Sequence, residues 1–305
     1  MTIHTGLPNN KNKIFGGAYS IHDPITCNYK NVLLQNYRES DIDFETTKLD
    51  YFDEFKYFLG QPHNLIGLDL YTHSCFTQGT TESFLHFYLR YRDKRLRLAK
   101  GEYFFHQMTK NMYYQSSFAW LDEEELASGD VLVLSVPFAD SCELYPKLDE
   151  ILYICDVKRI PVMLDLAYIN LAIDFTVDLT HPCIEYVVSS LSKVFPLENH
   201  RVGIRLQKNF FEDPLYVINE QDYNYINMCS VYLGLKMMQE FEPTYIYKKY
   251  LDSQFDMCKK LGLKKSSCVY FGIDENNVYP EYSRGADTNR LCFSRVWDGR
   301  MSFDM

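Results

Sequence analysis

The sequence predicts an α/β protein: a three-layer αβα large domain built on a mostly parallel sheet, joined to a small α+β domain. Three observations carry that expectation. Residues 131–136 (VLVLSV) form an unbroken apolar run, the pattern of a central parallel strand buried on both faces. A helical pattern over 146–158, with Leu148, Ile151, Leu152, Ile154 and Cys155 on one face, separates it from a second apolar run at 160–164. Strand, helix and strand in that order imply a right-handed parallel crossover. Finally, 305 residues are enough for one large core and a smaller one, and after Leu206 the composition shifts to long helical patterns and short strands. The expected division is an arm over 1–45, a large domain over 46–215 and a small domain over 216–305.

Taken in order, the first 45 residues carry Gly16, Gly17, Pro24 and several Asn without a sustained period, and read as an irregular arm with one short helix. Over 46–59, Leu49, Phe52, Phe55, Tyr57 and Phe58 recur at helical spacing, and Gly60 and Pro62 supply the stop. Gly79, Thr80 and Thr81 then open a helix that runs to about Tyr91. Such a start either offers free N–H groups and a positive dipole end to an anion, or uses a threonine as a simple cap. The basic run at 90–97 reads as a helix end followed by an exposed strand start. A short strand at 96–99 leads into a turn and helix at 101–107.

Asp165 closes the second apolar run, with Tyr168 three residues on. A carboxylate at a strand's carboxyl end either caps the turn or holds a cation. The run at 184–188 exits into Ser189, Ser190, Leu191, Ser192 and Lys193. A lysine there is either an ordinary solvated side chain or a desolvated amine able to form a Schiff base. Residues 223–241 and 244–261 read as long helices, and 269–272 and 291–294 as strands of the small domain.

Bulk composition excludes several functions. A net charge of −10 and a pI near 5.3 lack the basic footprint of a nucleic-acid or anionic-membrane binder. The nine cysteines are scattered singly without C-x-x-C spacing, so neither a metal site nor a disulfide framework is expected. No apolar stretch is long enough for a membrane span, and the first residues lack an apolar leader core, so the expected location is cytoplasmic.

Three clusters together point further. Ser190-x-Ser192-Lys193, then Arg201 and Gly203, resembles the lysine signature of the fold-type I pyridoxal-phosphate enzymes, the class I/II aminotransferase family. Gly79-Thr80-Thr81-Glu82 resembles that family's phosphate-binding turn, and Asp165-Leu166-Ala167-Tyr168 resembles its D-x-A-Y motif upstream of the lysine. The resemblance implies pyridoxal 5'-phosphate held as a Schiff base on Lys193, with Gly79, Thr80, Thr81, Ser190 and Arg201 at its phosphate. Ser192 either joins them or serves close packing. Asp165 would pair with the ring nitrogen and Tyr168 with the phenolic oxygen, while Phe105 or His106 would stack on the ring. Asn289-Arg290-Leu291-Cys292-Phe293-Ser294 resembles the late strand whose arginine clamps a substrate α-carboxylate, which gives Arg290 that role.

One departure is plain. The family's loop asparagine falls at Ala139, so its contact with the phenolic oxygen is lost or passes to Asp140. The resemblance implies an aminotransferase acting between an amino acid and a 2-oxo acid. A decarboxylase or lyase of the same fold, or a homologue that binds cofactor without turnover, are the alternatives. It also implies a homodimer, with the arm lying across the partner and near the substrate; Tyr19 and Tyr37 are its candidate contacts.

Overall fold

All six residues of β5, the strand that the central apolar run forms, are buried. The computed structural model describes residues 13–113, 117–211, 213–220 and 225–303. In chain order, α1 (Pro24–Asn36) and α2 (Phe44–Gly60) precede β1 (Asn64–Ile66) and β2 (His73–Thr77). Next come α3 (Thr80–Arg90), β3 (Arg95–Leu98), α4 (Phe104–Tyr113), β4 (Phe118–Trp120) and β5 (Asp130–Ser135). Then follow α5 (Leu148–Lys158), β6 (Val162–Asp165), β7 (Thr176–Asp178), β8 (Ile184–Ser190) and β9 (Gly203–Gln207). The remainder is α6 (Pro214–Glu220), α7 (Met228–Glu240), α8 (Tyr245–Leu261), β10 (Lys264–Lys265), β11 (Phe271–Asp274), β12 (Asn289–Cys292) and α9 (Ser294–Trp297).

Seven strands form one sheet in the order β2, β9, β8, β6, β5, β3, β4. Neighbours from β8 to β4 are parallel, whereas β9 runs antiparallel to both β8 and β2. The carboxyl ends of β2, β5, β6 and β8 and the amino end of β9 therefore share one edge. The register makes this concrete, pairing Ser135 with Asp165, Asp165 with Val188, and Gly203 with both Ser190 and Thr77. Ligands of open α/β sheets bind outside this edge.

Apolar spacing decides what covers the faces. On α2, Tyr51, Phe55, Phe58 and Leu59 are buried, and α7 packs along that helix. Each such ring contributes about 1.5–3 kcal/mol on leaving water. The expected helix over 46–59 starts two residues earlier because Asp43 accepts the Thr46 N–H at 3.1 Å as its N-cap. Asp23 caps α1 and also meets Lys249 and Tyr250 of α8, which ties the arm to the far end of the chain.

The structure corrects the basic run. Arg97 is 0% exposed, because β3 lies between β4 and β5 and Asp130 at the start of β5 takes its Nη1 at 2.6 Å. Strand β4 and the two-stranded parallel ladder of β1 and β7 were not among the expected elements. The long helix expected over 223–241 appears as α7, and the start of that range lies outside the described residues. The second sheet is antiparallel in the order β10, β11, β12, with Arg290 opposite Ile273. No helix among the described residues is long and apolar enough to cross a membrane.

Candidate active site

Where β5, β6 and β8 end and β9 begins, the following turns enclose a cavity of about 90 Å³. Thr80, Thr81, Asp165, Ser190, Ser192 and Lys193 line it, with Arg201 at one end and Tyr168 at the other. The strand order thus gathers side chains that are far apart in sequence.

The end nearest α3 is shaped for an anion. Gly79 is the residue before the first helical turn and has φ +69°, a left-handed value that favours glycine. A Cβ there would collide with the Arg201 guanidinium, and one on Gly203 would stand 2.8 Å from the Gly79 carbonyl carbon. Arg201 Nη2 donates to Gln78 O at 3.3 Å, while Glu82 reaches back to accept the Gln78 N–H at 2.7 Å. Among the described residues, the buried Ser192 Oγ has no hydrogen-bond partner, and neither has Thr77 Oγ1 at the end of β2. Helix N–H groups, a guanidinium and orphaned hydroxyls together make a donor-rich cradle.

The other end carries the acid and the amine. Asp165 is 4% exposed; its Oδ1 accepts the Ala167 N–H at 3.0 Å. Its Oδ2 lies 3.5 Å from His106 Nε2, and His106 Nδ1 is 2.5 Å from the Tyr88 hydroxyl. Burial raises the Tyr168 hydroxyl's pKa, and that oxygen accepts from Arg290 Nη1 at 3.3 Å. Lys193 Nζ donates to Ala18 O at 2.6 Å. Burial above all, with the Arg290 and Arg201 charges, pulls its ammonium down to about 8. At pH 7 about a tenth of such an amine is neutral, against well under a thousandth of an ordinary lysine.

Tyr103 supplies the aromatic wall. The buried Glu102 fixes it by accepting the Tyr103 N–H at 2.7 Å and the Ser135 N–H at 2.9 Å, with the Ser135 hydroxyl as a further donor. Burial pushes the Tyr103 hydroxyl up to about 12. Glu198 closes the rim, where its carboxylate meets His22 at 2.5 Å and Ser20 at 2.8 Å.

No family model matches the sequence, and neither does any curated protein. Solved structures do resemble it. Tyrosine aminotransferase from Leishmania infantum is similar with a TM-score of 0.66 at 11% identity, over 98% of this chain and 97% of that one. A pyridoxal-phosphate-bound C–S lyase from Staphylococcus hominis is similar with a TM-score of 0.65 at 12% identity, over 96% and 87%. L-threonine-O-3-phosphate decarboxylase from Porphyromonas gingivalis follows with a TM-score of 0.55 at 13% identity, over 74% and 84%. The fold is that of the fold-type I pyridoxal-phosphate enzymes.

Within this fold-type I frame, the expected site residues divide. Thr80, Thr81, Asp165, Tyr168, Ser190, Ser192, Lys193 and Arg201 meet at the one cavity, with Gly79 against Arg201. Phe105 and His106, the expected stacking candidates, do not line it. The chain enters α4 at Phe104, which turns Phe105 onto Phe84 and sets His106 behind Asp165; Tyr103, just before the helix, faces the cavity instead. Arg290 does not line the cavity either. It is 2% exposed behind Tyr168, and its Nη atoms reach Ala139 O and Gly17 O. Asp140 is turned away toward Thr288, while Ala139 stays on the wall.

Of the arm, Ala18, Ser20 and His22 reach the site, whereas Tyr19 lies under Arg295 and Tyr37 against Tyr232. Tyr103, Glu102 and Glu198 were missed from the sequence. The only signal for Tyr103 is that it is one more aromatic residue in the turn that precedes Phe105 and His106.

Proposed function

We propose that this chain is a pyridoxal-phosphate-dependent aminotransferase that moves an amino group between an amino acid and a 2-oxo acid. The observation that carries this is the convergence of Lys193, Asp165 and Arg201 on one cavity at the carboxyl edge of the sheet. The residues fit the cofactor. The cradle of Gly79, Thr80, Thr81, Ser190, Ser192 and Arg201 would hold its phosphate, and the orphaned Ser192 hydroxyl gains a partner there. Asp165 would face the ring nitrogen, Tyr168 the phenolic oxygen and Tyr103 the ring, and Lys193 would hold the cofactor covalently.

When bound, pyridoxal phosphate supplies an electron sink for charge formed at the substrate's α-carbon. The chain's own groups do the rest. The Asp165 carboxylate would stabilise a positive charge on the ring nitrogen. That carboxylate is oriented by the Ala167 N–H, and His106, held by the Tyr88 hydroxyl, stands 3.5 Å from its other oxygen. Lys193 Nζ would be the base that takes the substrate's α-proton, and its pKa near 8 suits it to accept and return protons near neutrality. Arg290 would take the α-carboxylate once the Gly17 carbonyl gives up its Nη2.

Loading the protein with pyridoxal phosphate, reducing it with borohydride and mapping the peptides tests this reading. The expected adduct is on Lys193, with none in Lys193→Ala and amino transfer to a 2-oxo acid lost in that variant. An adduct elsewhere, or full amino transfer by Lys193→Ala, would overturn it. A C–S lyase or decarboxylase reading draws on two of the similar structures and on the missing loop asparagine at Ala139. Release of a thiol or carbon dioxide from the loaded protein without amino transfer would favour it.

A further inference from the structure

A guanidinium taken out of water costs several kcal/mol unless an anion or full hydrogen bonding answers it. Arginines near a cavity that lack a carboxylate therefore mark where a ligand brings charge. Three arginines here are candidates: Arg201, which lines the cavity, and Arg284 and Arg290, which stand behind its wall. Among the described residues, no carboxylate oxygen lies within 4.0 Å of Arg201, Arg284 or Arg290. The Nε atoms of Arg284 and Arg290 are also sealed from solvent without a hydrogen-bond partner.

The function proposed above accounts for two of them: a cofactor phosphate for Arg201 and an α-carboxylate for Arg290. Arg284 has no such assignment. It stands on a loop closed by the Ser283 to Asn289 bridge and seated on Gly101, where a Cβ would be 2.9 Å from Ala286 Cβ and 2.8 Å from Asp140 Cβ. Its Nη2 donates to Glu102 O at 3.4 Å and its own carbonyl accepts from Gln107 Nε2 at 3.3 Å, which holds it beside Tyr103. Its charge reaches both Tyr103 and Tyr168, the residues of the cavity wall opposite the phosphate cradle.

Asp140 is the acid whose charge reaches Arg284 and Arg290, but it does not answer them. One of its oxygens accepts from Thr288 Oγ1 at 2.5 Å, and the other is buried without a donor. Burial raises the Asp140 carboxyl, which weakens it further as a counterion, whereas Arg284 is lowered by burial and then by the neighbouring Arg290 charge. Arg284 and Arg290 repel each other, and Asp140, the acid within reach of both, makes no hydrogen bond or ion pair to either; a ligand anion would complete such a site.

We propose that Arg284 receives a second anionic group on the substrate, so that the amino acid handled here carries a carboxylate or phosphate beyond its α-carboxylate. This rests on the cofactor reading above, since the α-carboxylate is what Arg290 is assigned. The experiment is calorimetric titration of the pyridoxal-phosphate-loaded protein with glutarate, 3-phosphonopropionate and butyrate. At least one dianion is expected to bind about 10-fold or more tightly than butyrate, the effect of one charged hydrogen-bond pair. Preference for glutarate identifies a carboxylate as the second group, and preference for 3-phosphonopropionate a phosphate. Arg284→Gln should bring the dianions down to the butyrate level with cofactor uptake intact, and Arg284→Lys should retain part of the preference.

Butyrate binding as tightly as both dianions, or a preference that survives in Arg284→Gln, would sink the inference while cofactor uptake keeps the function above in place. A protein that takes up no cofactor, by absorbance and by adduct mapping, would sink that function and the substrate class with it.

Discussion

Arg97 and Arg201 flank the same sheet and are held in opposite ways. Arg97, on the interior strand β3, is fully buried, and every donor of its guanidinium is answered by Asp130 or by the carbonyls of Ala119, Trp120, Glu124 and Glu125. Arg205 on β9 is gripped by both oxygens of Asp213, at 2.7 and 3.2 Å. Among the described residues, Arg201, just before β9, has as hydrogen-bond partner the Gln78 carbonyl alone. The difference teaches where the fold closes its charges and where it leaves them open. Away from the carboxyl edge the Arg97 and Arg205 guanidiniums each have a carboxylate partner, although among the described residues the Arg205 Nε stays without one of its own. Toward that edge, among the described residues, Arg201, Arg284 and Arg290 have no carboxylate within ion-pair distance.

Breaking the closed side should have the largest effect. Asp130→Ala removes the carboxylate shared by Arg95 and Arg97 and strands a fully buried cation. A loss of about 3–5 kcal/mol in unfolding free energy is expected, read by urea denaturation of the cofactor-free protein. A loss under about 1 kcal/mol would mean that the backbone carbonyls alone suffice for Arg97, and the contrast between the regions would shrink.

Breaking the open side should have a smaller effect on folding and a separate one on binding. Arg201→Met removes a charge that no carboxylate answers, so the cofactor-free protein should change by less than about 1 kcal/mol. Affinity for pyridoxal phosphate should fall about 10- to 100-fold in a spectroscopic titration, as when a charged hydrogen bond to phosphate is lost. Destabilisation as large as that of Asp130→Ala would show that Arg201 serves the fold and would remove it from the cradle.

The same contrast explains what the sequence made legible. Lys193, Asp165, Tyr168 and the 79–81 turn could be read because each stands at a fixed offset from the end of an apolar strand, and strand order does the rest. Tyr103 could not, because its direction is set by Glu102, whose carboxylate is spent on Ser135, a partner 33 residues away. The basic run at 90–97 looked solvated because its neutralising acid, Asp130, lies on another strand; pairing across a sheet leaves no local mark. Arg284 carried no signal for the same reason, since the absence of a carboxylate partner is visible only in space. The parallel ladder of β1 and β7 joins two three-residue strands, too short for an alternation to show.

The smallest expected effect sharpens the comparison through pH. Burial alone raises the Asp130 and Asp213 carboxyls, but hydrogen bonds from Arg95 and Arg97 in one case and Arg205 in the other outweigh it and hold both below the usual value. An unfolded aspartate titrates near 3.9, so around and below that pH the unfolded chain binds more protons than the folded one. The stability contributed by these pairs is therefore complete above about pH 4 and is lost as pH falls through the folded values beneath it. Urea midpoints followed downward from pH 6 should show that acid limb in the wild type and a shallower one in Asp130→Ala. In Arg201→Met the limb should be unchanged, because among the described residues no carboxylate lies within ion-pair distance of that guanidinium. An acid limb that moves in Arg201→Met would mean the open edge is wired into the same ion pairs as the closed one, and the two regions would have to be treated as a single electrostatic unit.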